Sequence, residues 1–144
     1  MQITAMIGLV HKDGSVCAVY LHNDGSPMYA GRVLLKSFNK ESLEKLLDLG
    51  DLLVLGNNVV PEVQNNHSGF SPEKDTCIFY GRDRGESNTS SCLYASVDDL
   101  KQHREECDYF YLMKIEKGKC KWYITDIRES EEMFDLERII KNMH

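Results

Sequence analysis

Two pairs of β-type runs, each pair joined by a tight turn, constrain the fold of this chain more than any other feature. Ile3 to Val10 and Ser15 to His22 flank Lys12-Asp13-Gly14, and Tyr109 to Glu116 and Lys119 to Thr125 flank Lys117-Gly118. Glycine in a short turn adopts positive φ at little cost, so each pair predicts a β-hairpin. In the second pair Tyr109, Tyr111, Met113 and Ile115 alternate onto one face, and Cys120, Trp122 and Ile124 do the same. That period of two is the signature of a half-buried strand.

The segments between the hairpins read as helices and loops. Ser26-Pro27 predicts a helix start, because serine suits the N-cap and proline the first turn. Ala30, Val33, Leu34, Ser37 and Phe38 then share one helical face. Glu41 to Leu49 predicts a short helix that buries Leu43, Leu46 and Leu47 and closes at Gly50. Asp51 to Leu55 reads as one apolar helical turn. Gly56 to Asp75 is a long loop containing Pro61, Asn65-Asn66-His67 and Ser71-Pro72; loops of that length are often functional. Thr76 to Tyr80 is a strand, and Arg82 to Ala95 is a second polar loop. Ser96-Val97-Asp98-Asp99 opens a helix that runs through Cys107. The tail from Ser130 to Met143 is amphipathic, with Met133, Leu136, Ile139, Ile140 and Met143 at helical spacing.

Strands do not alternate regularly with helices, which disfavours a parallel doubly wound fold. The expectation is an α+β fold: an antiparallel sheet with helices mainly on one face. One compact domain spans 1–125, and a C-terminal helical extension spans 126–144. The 144 residues suffice for one buried core.

Charge excludes one class of partner. A net charge of −6 works against general nucleic-acid binding, which needs a basic footprint. No apolar run approaches the roughly 18 residues of a membrane helix. The start, Met1 to Leu9, lacks a basic n-region and runs into His11-Lys12-Asp13, so no signal peptide is expected. Five cysteines form no CxxC pair, which points to reduced thiols and the cytoplasm. Cys17, Cys77 and Cys120 read as small apolar strand residues. Walker-type and Rossmann-type glycine patterns are absent, and no cofactor is expected. His22, Asp24, His67 and Asp83 lack metal-ligand spacing, so no metal is expected.

Two polar motifs each follow a strand. Gly81-Arg82-Asp83-Arg84-Gly85-Glu86 follows Cys77-Ile78-Phe79-Tyr80. Arg82 and Arg84 can clamp phosphate or carboxylate through their planar forks, while Gly81 and Gly85 let backbone amides approach the same anion. The competing reading is that Arg82, Asp83, Arg84 and Glu86 pair among themselves and fix the loop. His22-Asn23-Asp24-Gly25 follows the second run. His22 and Asp24 can contact a base or ribose, or act as acid and base. Alternatively Asp24-Gly25 turns the chain and His22 satisfies a backbone group. Tyr109, Tyr111, Trp122 and Tyr123 read as sheet packing.

These motifs resemble a family of small uncharacterised proteins of phages, prophages and some bacteria. The shared residues are His22, Asp24, Gly25, Pro27, Gly31, Leu34 and Leu35, then Leu49-Gly50-Asp51-Leu52 and Tyr80-Gly81-Arg82-Asp83-Arg84-Gly85-Glu86, then Tyr109 to Leu112 and Trp122. The resemblance covers about residues 2 to 125. Leu21, Asn23 and Ser26 stand where the pattern has Cys, Trp and Tyr; if that Trp stacks on a ligand in the family, the ligand or the affinity differs here. Ser130 to His144 is additional to the pattern. The resemblance implies a phage or mobile-element context, with action in the host cytosol.

Three functions follow as expectations. The first is a small binding protein that captures an anionic, nucleotide-like molecule, such as an immune signal, and so counters host defence. Its ligand contacts would come from His22, Asp24, Arg82, Asp83, Arg84 and Glu86. The second is direct inhibition of a host protein by the acidic surface, including Glu129-Ser130-Glu131-Glu132. The third is a nucleotide or phosphoester hydrolase or lyase using His22, Asp24 or Glu86. A homo-oligomer is expected from the apolar stripe of the tail.

Overall fold

The computed structural model describes residues 2–62, 67–127, 129–130 and 132–143. Asn65, Asn66 and Glu131, named above, lie outside them. In chain order the elements are β1 (Ala5–Val10), β2 (Val16–Leu21), a π-helical turn (Pro27–Gly31) running into α1 (Arg32–Ser37), α2 (Lys40–Leu49), β3 (Leu52–Val54), β4 (Ile78–Phe79) and β5 (Cys92–Tyr94). After them come α3 (Val97–His103), β6 (Tyr109–Glu116), β7 (Lys119–Asp126), β8 (Phe134–Asp135) and α4 (Leu136–Lys141).

Both hairpins form. Ile7 sits opposite Val19 in the first and Met113 opposite Trp122 in the second. Their turns use positive φ at Gly14 (92°), Lys117 (51°) and Gly118 (79°). The hairpins join through β1 and β6, which run parallel with Ile7 opposite Tyr111. β2 and β3 are also parallel. The sheet order is β4-β3-β2-β1-β6-β7-β8, with β5 added on β2. The fold is therefore a single compact α+β domain whose sheet is mixed rather than wholly antiparallel. The reason is chain length: the long segments between β1 and β6 and between β2 and β3 carry helices and can cross over, which parallel neighbours require.

The alternation within β1 sends side chains to two cores. Ala5, Ile7 and Leu9 pack with Leu21, Tyr111, Met113 and Trp122 beneath Leu34, Leu43, Leu46 and Leu136 of the helices. Met6 packs on the other face with Ala18, Phe110 and Leu112 beneath Leu100 of α3. Helices α1, α2 and α4 thus share one face, and α3 covers part of the other. The tail covers its own domain: β8 pairs with β7, and Leu136 is fully buried. A Cβ placed on Gly31 would lie 3.2 Å from both Leu136 Cδ1 and Ile140 Cδ1. The apolar stripe expected to reach a second copy is thus spent largely within the chain.

Local departures have local causes. Asp51 to Leu55 is not a helical turn, because Leu52 is paired on both sides, to Leu21 and Phe79. Short apolar runs do not distinguish helix from strand by period. The second polar loop contains β5, which lies on β2 with Leu93 opposite Cys17. Ser26 makes no side-chain cap; its carbonyl instead accepts from the amides of Tyr29, Ala30 and Gly31. Ser96 does cap α3, accepting from Asp99 N at 3.0 Å, but that helix stops at His103. Among the described residues no helix is long and apolar enough to cross a membrane.

Candidate functional site

The Gly81–Glu86 segment folds on itself directly after β4. The amides of Asp83, Gly85 and Glu86 donate to the carbonyls of Phe79, Gly81 and Tyr80 at 3.1, 3.0 and 2.9 Å. These three amides are therefore committed within the loop. Gly85 takes φ +70°, which glycine tolerates best.

The two arginines of the loop diverge. Arg82 turns inward, with Nε 3.0 Å from Asp83 Oδ1 and Nη2 3.0 Å from Oδ2. Its Nη1 and Nη2 donate to the carbonyls of Val59 and Cys77. The guanidinium also lies 4.8 Å over the Phe79 ring. Asp83 Oδ2 accepts from Phe79 N at 2.8 Å and lies 3.3 Å from His67 Nε2. His67 Nδ1 accepts from Glu73 N at 2.8 Å, which places the ring proton on Nε2, facing Cys77 O at 3.0 Å. The His67 and Asp83 side chains are 1% and 4% exposed. Burial works to raise the Asp83 carboxyl, but Arg82 and the Phe79 amide outweigh it and hold it below the usual carboxylate range. This pair thus ties the long 56–75 loop to β4.

Arg84 turns outward. Its Nε pairs with Glu86 at 3.1 Å, and its guanidinium lies 5.4 Å over the Tyr80 ring. The two side chains are 40% and 45% exposed. An ion pair that open contributes only about 0–1 kcal/mol, so an incoming anion can displace Glu86 at small cost.

Tyr80 joins the two motifs. Its ring lies 6.5 Å, edge-on, from the His22 ring. The parallel β2–β3 pairing causes this: His22 N and Asn23 N donate to Leu52 O and Leu53 O, while Tyr80 N donates to Asp51 O. His22 also meets Tyr20, with rings 5.9 Å apart and Tyr20 Oη 3.3 Å from Nδ1. Arg104, just after α3, lies 5.2 Å over the Tyr20 ring and 3.0 Å from Glu106. A continuous stripe results: Arg104, Tyr20, His22, Tyr80, Arg84. Its three rings are half-buried and open to solvent on one side. Burial pushes the Tyr20 and Tyr80 hydroxyls up, so both remain O–H donors at neutral pH.

Asp51 supports the stripe from behind. Its Oδ1 accepts from Tyr20 N at 2.8 Å. Burial pushes its carboxyl up, opposed by that hydrogen bond and by the charge of Arg104. Asp24 takes φ +56° in the exposed turn, and its charge acts on Tyr29 near Asp75. The turn itself is anchored by Tyr111, whose hydroxyl donates to Gly25 O at 2.6 Å. Among the described residues no hydrogen bond or ion pair links His22 to Asp24 or another carboxylate.

No protein-family model, curated protein or solved structure significantly matches the chain. The geometry alone carries the reading. It brings His22, Arg84 and Glu86 into one surface. It commits Arg82 and Asp83 to the scaffold beneath, and it leaves Asp24 in an exposed turn with its charge acting on Tyr29. Tyr20, Asp51, Tyr80 and Arg104 were not among the expected contacts. Asp51 and Tyr80 stand inside the Leu49–Leu52 and Tyr80–Glu86 motifs, and Tyr20 lies two residues before His22, on the same strand face. Nothing in the sequence marked Arg104. Among the described residues no group of three or more His, Cys, Asp or Glu side chains gathers as a metal cage.

Proposed function

We propose that this protein binds an anionic small molecule carrying a planar ring, a nucleotide-like ligand, along the Arg104–Tyr20–His22–Tyr80–Arg84 stripe. The carrying observation is the alternation of guanidinium and aromatic ring over one half-exposed surface. Guanidiniums attract phosphate and stack on planar groups, and tyrosine rings add stacking area. The local cations act at short range within a chain of net charge −6, which favours a small ligand over a polymer of phosphates. The phage context, and with it interference with a host signal, rests on the motif resemblance alone.

The test is calorimetry and thermal melting with a panel of nucleotides, followed by heat release and mass analysis of the ligand. Intact ligand supports capture, and converted ligand shifts the reading to catalysis with His22 as proton carrier. Tyr80→Ala and Arg84→Ala are expected to lower affinity about tenfold or more each, the worth of one charge-assisted or stacking contact. Undiminished binding by both variants removes the stripe from the reading.

One observation favours a second reading, contact with a host protein. Phe70 is 95% exposed at the tip of a turn, held there by Ser68 Oγ accepting from the amides of Phe70 and Ser71. Gly69 N donates to Asp83 O at 3.1 Å, so the turn sits against the Arg84 end of the stripe. Exposed aromatic residues next to arginine are frequent contact hot spots. Loss of partner capture in Phe70→Ala with nucleotide binding intact would support it.

A further inference from the structure

The stripe has a near-mirror construction about His22. On one side Arg104 lies 5.2 Å over Tyr20, whose ring is 5.9 Å from His22. On the other Arg84 lies 5.4 Å over Tyr80, whose ring is 6.5 Å from His22. Each arginine carries its own carboxylate two residues later, Glu106 at 3.0 Å and Glu86 at 3.1 Å. Those carboxylates are 60% and 45% exposed; Arg84 is 40% exposed and Arg104 28%, with its Nε buried, so the Arg84 half opens to a ligand more widely than the Arg104 half. The two halves come from distant parts of the chain, α3's end and the turn after β4, and only the sheet brings them to one histidine.

We propose that the ligand of this stripe carries two nucleotide units, one on each guanidinium–tyrosine pair, with its linking phosphate at His22. The proposal rests on the nucleotide-like reading above and specifies the ligand's class. Each half offers a ring or guanidinium face for a base, a cation for phosphate, and a carboxylate to accept from a base N–H or a ribose hydroxyl. Tyr20 Oη engages His22 Nδ1, which leaves Nε2 as the nitrogen available to a phosphate oxygen. A mononucleotide fills one half and leaves the other hydrated. Linking two units makes the second contact intramolecular, at an effective concentration in the millimolar range, and raises affinity without any new kind of contact.

The experiment compares AMP with the linear dinucleotide pApA by calorimetry on the full chain. The expected result is one pApA per chain, bound at least tenfold more tightly than AMP. Arg84→Ala and Arg104→Ala should each bring pApA affinity down to near that of AMP, with a smaller effect on AMP because one half remains. Arg104 packs over the Tyr20 ring and is only 28% exposed, so Arg104→Lys, which keeps the charge and loses the planar stack, serves if the alanine variant melts early. Its pApA affinity should also fall, with a smaller change in melting temperature than the alanine variant shows. Equal affinity for AMP and pApA, or an Arg104 variant that is folded and binds pApA as the parent does, overturns the two-unit proposal and leaves a one-unit site at Tyr80. Absence of binding by either compound and by guanine counterparts overturns the nucleotide reading as well.

Discussion

Arg82 grips its sequence neighbour Asp83 with two prongs, Nε on Oδ1 and Nη2 on Oδ2, each at 3.0 Å. Adjacent residues seldom form such a fork, because an extended backbone sends their side chains apart. Here the turn after β4 folds both under the loop that carries His67.

Stability should separate the two arginines of the loop. Asp83→Ala leaves the Phe79 amide without its acceptor and the Arg82 guanidinium without its carboxylate, with only the Val59 and Cys77 carbonyls remaining to it. The expected loss is about 3 kcal/mol, the lower end for breaking a buried pair, since Arg82 keeps 24% exposure. Arg84→Ala removes an exposed pair and should stay within about 1 kcal/mol of the parent. Urea unfolding of both variants measures this. Equal losses would mean that the inward and outward assignments are wrong.

Acid should expose the same asymmetry through the two carboxyls. Asp83 is held below its ordinary value of about 3.9. Its contribution is therefore present above about pH 4 and fades as pH falls through the depressed folded value. Asp51 is pushed the other way, so its contribution is present below about pH 4 and is lost as pH rises through the raised folded value. The stability gap between parent and Asp83→Asn should narrow in acid, and the gap for Asp51→Asn should widen. Unfolding curves from pH 3 to pH 7 decide the matter; gaps that do not move with pH contradict both assignments.

Two glycines with the same sign of φ should respond differently to alanine. Gly50 takes φ +90°, and a Cβ there would overlap the carbonyl oxygen of Thr89. Gly14 takes φ +92° with nothing within 4 Å of a Cβ. Gly14→Ala meets backbone strain only, about 1 kcal/mol. Gly50→Ala adds a backbone collision and should reach about 3 kcal/mol. Because Thr89 O also accepts from Asp51 N at 2.7 Å, that variant should weaken ligand binding at the stripe too. Similar melting temperatures for the two variants would argue against the close approach at Gly50.

Thiol chemistry offers an independent check of the two cores. Burial pushes the thiols of Cys77 and Cys107 up to about 11. Cys92 and Cys120 are exposed. Brief alkylation of the native protein should label Cys92 and Cys120 and spare Cys77 and Cys107, with all labelled after unfolding. Rapid native labelling of Cys77, read by peptide mass, would place it outside the core.

The sequence by itself determined both hairpins. Gly14 and Gly118 punctuate runs whose alternation leaves one side apolar, and a shift by one residue would expose that side. It determined the α2 helix through Leu43, Leu46 and Leu47, and the α3 start through Ser96. It also located the dense charge after β4 and the histidine after β2. Tertiary structure alone decided what those residues do. Whether Arg82 or Arg84 faces solvent depends on the 56–75 loop arriving with Val59 O and His67, and such long-range partners leave no local pattern. The parallel pairing of β2 with β3 brought Tyr80 to His22. Arg104 reached Tyr20 only because α3 packs Leu100 against the second core. Periodicity records which face of an element is apolar. It does not record which distant element meets that face, and the stripe is assembled from such meetings.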